Sequence, residues 1–254
     1  MSTTTFKDHF SGHAARYAEA RPRYPAALFE WLARQCAGHA LCWDAGCGNG
    51  QASVALAGHF AHVHATDPSA EQIAHAQAHE RVAYRVEPAE RCSLGDGAAQ
   101  LATIAQAMHW VELDAYHAEV RRVLAPGGVF ATWCYGLMRV TPEFDAVVAE
   151  LYEPVLGPYW APERHLVETG YATLPFPFEP IDAPPFEMRL EWTLAEVLGY
   201  LETWSALQKY RRQTGRDPLA PFVPRLAAAW GEAERRAVSW PLSLRAGRTE
   251  PGRA

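Results

Sequence analysis

The stretch LCWDAGCGNGQAS, residues 41–53, decides how the rest of the chain is read. LCWDA reads as a buried strand and QASVALAGHF (51–60) as a helix. Between them an acid, Asp44, precedes Gly46, and Gly48 and Gly50 follow at alternate positions. Glycine at that density costs backbone entropy in any regular element. A strand-to-helix loop explains it, either as a tight turn or as main chain that something approaches closely. Such a loop places bare backbone and a helix N-terminus at one spot, which favours an anionic group.

Outward from this loop, apolar runs alternate with helical stretches. HVHATD (62–67) is a second strand, and SAEQIAHAQAH (69–79) a helix with Ser69 as N-cap and Gln72 completing a capping box. RVAYRVE (81–87), LATIAQA (101–107) and GVFATWCY (128–135) are three further strands, with LDAYHAEVRRVL (113–124) a helix before the last. This alternation predicts an α/β fold, a parallel sheet with helices on both faces. Ligands of such sheets bind outside the carboxyl ends of the strands, at the switch point beside strand 1, where the glycine loop falls. Upstream lie two helical pieces, 6–20 and 25–38, split by RPRYP; Pro25 starts the second and Gly38 ends it. Downstream, TPEFDAVVAELYEPVL (141–156) is a helix, and residues 154–185 carry eight prolines and hence no long element. FEMRLEWT (186–193) is a strand, 193–213 one long amphipathic helix, 222–237 another, and AVSWPLSLRAG (237–247) a last strand. Pro241 within it predicts a bulge or an exposed edge.

The 254 residues suffice for one α/β domain with a modest appendage. A net charge of −6 and only two lysines, Lys7 and Lys209, argue against a nucleic-acid partner. Five cysteines without a C-x-x-C pair indicate reduced, mostly buried thiols. With no secretory signal and no apolar run of membrane-spanning length, a cytoplasmic protein without a membrane partner is expected. His59, His62 and His64 straddle a helix end and a strand, and His75 and His79 lack the glutamate of H-E-x-x-H, so no metal site is expected.

About 20 residues past the loop, at the end of strand 2, stands Asp67, placed to accept both hydroxyls of a ribose. Together loop and acid define a nucleoside site. The dinucleotide fingerprint G-x-G-x-x-G/A fits poorly, because its third position here is Gln51. A nucleotide-dependent oxidoreductase is therefore the weaker alternative. The run D-x-G-x-G-x-G, followed by TDPS, VEPAERCSLGDG, IAQAMHW and LAPGGVFATW, instead resembles the class I S-adenosylmethionine-dependent methyltransferases of the type 11 family. YAEARPRYP, TWSALQKYRRQTGRDPL and WPLSLRAGR resemble its trans-aconitate methyltransferase-like subgroup, and Gln100 departs from the acid that relatives often carry before strand 4.

The resemblance implies a Rossmann-like sheet of seven strands, mostly parallel with the last antiparallel. Strands 6 and 7 fall at FEMRLEWT and VSWPLSLRA. It divides the chain into an N-terminal helical lid (1–38), a cofactor-binding core (39–153), and a substrate cap with the last two strands (154–254), the cap helices standing before the final strand. The implied cofactor is S-adenosyl-L-methionine, with S-adenosyl-L-homocysteine as product. Asp44, near the ligand ammonium, Gly46, Cys47, Gly48, Gly50, Asp67, Pro68, Ala89, Glu90 and Gln106 are its expected contacts. Tyr17, Arg21 and Tyr24 are expected to close over the site. A sulfonium methyl is already activated, so transfer needs mainly positioning and exclusion of water. His109, directly after strand 4, is the candidate general base. Trp110, Tyr135, Trp160, Trp204 and Tyr210 are candidate walls of a small-molecule pocket, and Arg211 a candidate partner for an acidic substrate. Subgroup resemblance implies a carboxylic-acid acceptor. A non-catalytic cofactor-binding protein is the other alternative, and the expected assembly is a monomer or homodimer.

Overall fold

The computed structural model describes residues 22–250, so Tyr17 and Arg21 lie outside the described residues. Strands β1 (Leu41–Ala45), β2 (His62–Asp67), β3 (Val82–Val86), β4 (Ala99–Ala105) and β5 (Leu124–Tyr135) pair in parallel in the order β3-β2-β1-β4-β5. The chain runs outward from β1 to β3, then crosses back to β4 on the other side of β1. That reversal makes the crevice beside β1 the switch point. Beyond β5 lies β8 (Arg236–Arg248), antiparallel to it, and beyond β8 lie β6 (Glu179–Ile181) and β7 (Phe186–Trp192). β6 pairs with one end of β8 and β7 with the other. They share a single edge position, interrupted by Asp182-Ala183-Pro184-Pro185. The sheet therefore has the expected seven positions and antiparallel last strand, with one edge strand broken in two.

Period-2 alternation explains why both faces are covered. On β5, Val129, Ala131 and Trp133 join a core with Leu28, Phe29, Trp31 and Leu32 of α1 (Ala26–Gln35) and with Ala52 and Leu56 of α2 (Gln51–Leu56). Phe130 and Cys134 point the other way, into a core with Tyr116, Val120 and Val123 of α4 (Leu113–Val123). A third cluster lies past the carboxyl end of β5. It joins Tyr135 to α5 (Pro142–Glu150), its continuation Leu151–Val155, α7 (Leu194–Glu202), α8 (Ser205–Thr214) and α9 (Val223–Trp230).

Four local expectations are corrected. The helix after β2 is only α3 (Ala70–Ala74), because the chain is drawn back to the glycine loop: Gln77 N–H donates to Asn49 O at 3.0 Å and Tyr84 Oη donates to Gln77 O at 2.8 Å. Ser69 caps it as expected, accepting from Gln72 N. The segment 193–213 is two helices, α7 and α8, parted at Thr203 and Trp204, where Trp204 takes an extended backbone and buries its indole. α9 stops at Gly231, φ +70°, short of 237. Pro241 marks neither a bulge nor an outer strand. Ser239 N–H donates to Arg139 O on the β5 side, so two residues on, the absent N–H of Pro241 faces the gap just beyond Tyr135, where β5 has ended. Gln100 fastens the start of β1, its Oε1 accepting from Ala40 N (3.0 Å) and Leu41 N (2.9 Å).

Candidate functional site

The glycine loop sits at the carboxyl end of β1. Its amides are committed within the chain: Cys47 N–H to Thr66 O (3.0 Å), Gly48 N–H to Asp67 Oδ2 (2.8 Å) and Gly50 N–H to Cys47 O (3.0 Å). The expectation of bare backbone is corrected at these three positions, and the loop contributes shape and closeness there rather than donors. At Gly50, φ is +87° and a Cβ would stand 2.1 Å from Tyr84 Oη, so no side chain fits. At Gly48 a Cβ would meet, among the described residues, only Gln72 Oε1 at 3.8 Å. Among the described residues the face over Gly48 is thus open, with room for a ligand against main chain. Gly46 turns the chain against Ala107 beyond β4, and burial pushes the Cys47 thiol well up, out of reactive range.

Asp67 ends β2 opposite this open face. Its Oδ2 accepts from Gly48 N–H and its Oδ1 from Ser69 N–H at 2.9 Å. These two amides fix the direction of the carboxylate. A diol-binding acid beside an open stretch of main chain fits an adenosyl ribose. Pro68 beside it is exposed. Asp44, expected at the ligand ammonium, is placed otherwise: it is 0% exposed, with Ser53 Oγ donating to Oδ2 at 2.5 Å and Thr103 Oγ1 to Oδ1 at 2.8 Å. It braces the loop from beneath by joining α2 to β4. Burial pushes its carboxyl up to about 6, against the pull of both hydroxyls.

Ala89 is buried, and Glu90 Oε1 accepts from Glu112 N–H at 2.8 Å, capping α4. Gln106 follows β4 with φ +55°, rare for a residue with a side chain. Its amide clasps Tyr135 at the end of β5, Oε1 accepting from Tyr135 N (3.3 Å) and Nε2 donating to Tyr135 O (3.2 Å). Strained backbone of this kind clusters at binding sites.

His109 lies in the turn Met108–Trp110 beyond β4, its Nδ1 2.8 Å from Tyr171 Oη. Burial, then the nearby Arg164 guanidinium, pushes the imidazole down to about 4. The buried Tyr171 hydroxyl needs an acceptor for its proton, and Nδ1 supplies it. The neutral ring then carries its proton on Nε2, and its one lone pair is taken. In that tautomer His109 offers a donor and no free lone pair, against the general-base role expected of it.

Tyr24 packs edge-on against Trp133 (5.5 Å) and Tyr135 (6.4 Å). Trp160 and Trp204 meet each other at 5.7 Å and both meet Tyr152, at 4.9 and 5.6 Å. Tyr210 packs on Tyr159 at 4.8 Å, on the flank of the same cluster. Trp110 is apart from them, 38% exposed beside His109. Arg211, expected to meet an acidic substrate, is held instead by Asp217 (2.9 Å) and Glu202 (3.3 Å). The sequence reading missed Ser53 and Thr103 under the loop, and Tyr152, Arg164 and Tyr171 around His109. The first two are ordinary polar positions on a helix and a strand, and the other three come from the proline-rich stretch and its approach. Among the described residues no cluster of three or more His, Cys, Asp or Glu could hold a metal, and no helix is long and apolar enough to cross a membrane.

A methyltransferase-domain family profile matches residues 43–132, from β1 into β5. A Dictyostelium discoideum protein named as a methyltransferase is 31% identical over 249 residues, covering 95% of each chain. A solved Anaeromyxobacter dehalogenans structure, named as a type II methyltransferase, is 52% identical with a TM-score of 0.86, covering 91% of this chain and 99% of that one. A Saccharomyces cerevisiae protein named as a probable S-adenosylmethionine-dependent methyltransferase is 29% identical over 140 residues, 52% of this chain and 47% of its own. A switch-point crevice with a glycine loop and a ribose-type acid defines the Rossmann-like, nucleoside-binding α/β class. Within that class the chain belongs to the class I S-adenosylmethionine-dependent methyltransferases of type 11.

Proposed function

We propose that the chain moves the methyl group of S-adenosylmethionine to a small molecule by direct in-line displacement, with a carboxylic acid as acceptor. The observation that carries this reading is Asp67, fastened to Gly48 N–H at 2.8 Å beside an open face of main chain. In this reading Asp67 takes the ribose hydroxyls, the 46–50 loop lies along the methionine end, and Ala89 and Glu90 flank the base. Gln106 and Tyr135 join the two halves of the cleft. The bound cofactor supplies an electrophilic methyl already activated by its sulfonium. What remains for the chain is to orient the acceptor and exclude water. The walls of Tyr24, Tyr135, Trp160 and Trp204 serve both ends. A carboxylic acid suits a site without a free base, because it is ionised at neutral pH and has no proton to lose. His109 then offers Nε2–H as a donor.

The test has two stages. Calorimetry with S-adenosylhomocysteine should show binding, and the ligand should raise the melting temperature by mass action. A labelled-methyl assay against small acids, amines and phenols should then place label in a base-labile ester. Label in amines or phenols alone overturns the carboxylic-acid acceptor. Absence of heat with either form of the cofactor overturns the whole reading.

A further inference from the structure

Arg164 opens α6 (Arg164–Glu168), which packs on β5 and on the turn carrying His109. Its Nε donates to Tyr152 Oη at 2.8 Å, and the same hydroxyl donates to Glu168 Oε1. The guanidinium carbon lies 5.0 Å from the Trp160 ring centre and 5.6 Å from that of Tyr152. It is close enough to His109 to hold that ring's proton affinity down. Six other arginines, Arg81, Arg122, Arg189, Arg211, Arg225 and Arg235, have a carboxylate within 4.0 Å. Arg164 has none among the described residues, and its two Nη atoms donate to nothing there.

A half-buried guanidinium fixed by one edge and lying against the packed pair of Trp160 and Tyr152 has lost part of its side-chain freedom in advance. Its remaining edge is a planar fork suited to a carboxylate or phosphate. Surface charge solvation does not explain the arrangement, since Tyr152, Trp160 and Glu168 all contribute to orienting the group. We propose that Arg164 recognises an anionic group on the methyl acceptor, with Trp160 and Tyr152 flanking the acceptor's apolar body. This rests on the cleft at the ends of β4 and β5 being the acceptor site. A carboxylate gripped by a guanidinium is a weaker nucleophile. The group held by Arg164 is therefore a handle, and the methylated atom is another on the same molecule.

The test uses the full chain saturated with S-adenosylhomocysteine, whose binding by wild type is measured first; its absence overturns the cofactor reading and this inference with it. Tryptophan fluorescence then reports titration with phenylacetate, phenyl phosphate, phenylacetamide and 2-phenylethylamine. Wild type should bind at least one of the two anions tenfold or more tightly than the amide or the amine. Arg164→Gln should abolish that preference while binding S-adenosylhomocysteine within twofold of wild type and melting as a folded protein. Arg164→Lys, a point charge without a fork, should retain phenyl phosphate better than phenylacetate, which separates the two anions. Equal response of wild type to charged and neutral probes, including no response to any, overturns the inference. So does a preference that survives in Arg164→Gln.

Discussion

The two halves of the cleft are built from opposite materials. On the β2 side of β1, polar groups are spent on the chain's own hydrogen bonds: Asp67 on Gly48 and Ser69, Asp44 on Ser53 and Thr103. On the β5 side, aromatic rings from distant segments lean on one another, with Arg164 and His109 set among them. The first half is braced by hydrogen bonds to charged groups, which suits a ligand that must be held in one pose. The second is held by shape and dispersion, which tolerate exchange of one ring for another.

The largest break in this comparison is expected from Asp67→Ala. Calorimetry should show S-adenosylhomocysteine binding weakened about 100-fold, near 3 kcal/mol. The melting temperature should fall too, since Gly48 and Ser69 N–H lose a charged acceptor, each such bond contributing about 1.5–3 kcal/mol. A loss under threefold would move the ribose acid elsewhere. Asp44→Asn should act in the other direction. Burial raises the folded carboxyl from 3.8 to about 6, so between those values the native state holds a proton that the unfolded chain has released. Stability from this group is greatest below about pH 4 and declines as pH rises through 6, by about 3 kcal/mol in all. Asparagine avoids that decline and can still meet both hydroxyls. Urea melts should find the variant about 2 kcal/mol more stable than wild type at pH 8, and the difference smaller at pH 4.5. A variant less stable than wild type at pH 8 would show that the ionised form is the one the brace needs. The smallest effect belongs to His109→Gln. With the imidazole near 4, the ring is neutral from pH 5.5 upward. The rate should change less than about tenfold, and neither protein should show a limb near pH 6.5. A limb near 6.5 that vanishes in the variant would restore His109 as a base.

The same contrast governs what can be read from the residues in order. The β1 strand, its loop, β2 and Asp67 lie within residues 41–67, where short-range spacing carries the information. Hence the switch point and a nucleoside-type site are legible there, while the family and the cofactor enter through the resemblance that motifs out to LAPGGVFATW carry. The spacing marks Asp44 but not its direction, because alternation alone does not say that Ser53 and Thr103 converge beneath it. The proposed acceptor side draws on residues 109, 135, 152, 160, 164, 171 and 204, and only tertiary contact assembles them. Helix propensity likewise runs on through 203–204, and burial of Trp204 breaks it there.

The broken edge strand has a consequence outside the cleft. A long rim of unsatisfied N–H and C=O groups invites another chain to add itself in register. Here the outermost position is cut after Ile181, resumes at Phe186, and is filled between by an acid, an alanine and two imino acids that have no hydrogen to offer. The interruption therefore acts as a guard against uncontrolled polymerisation at that flank.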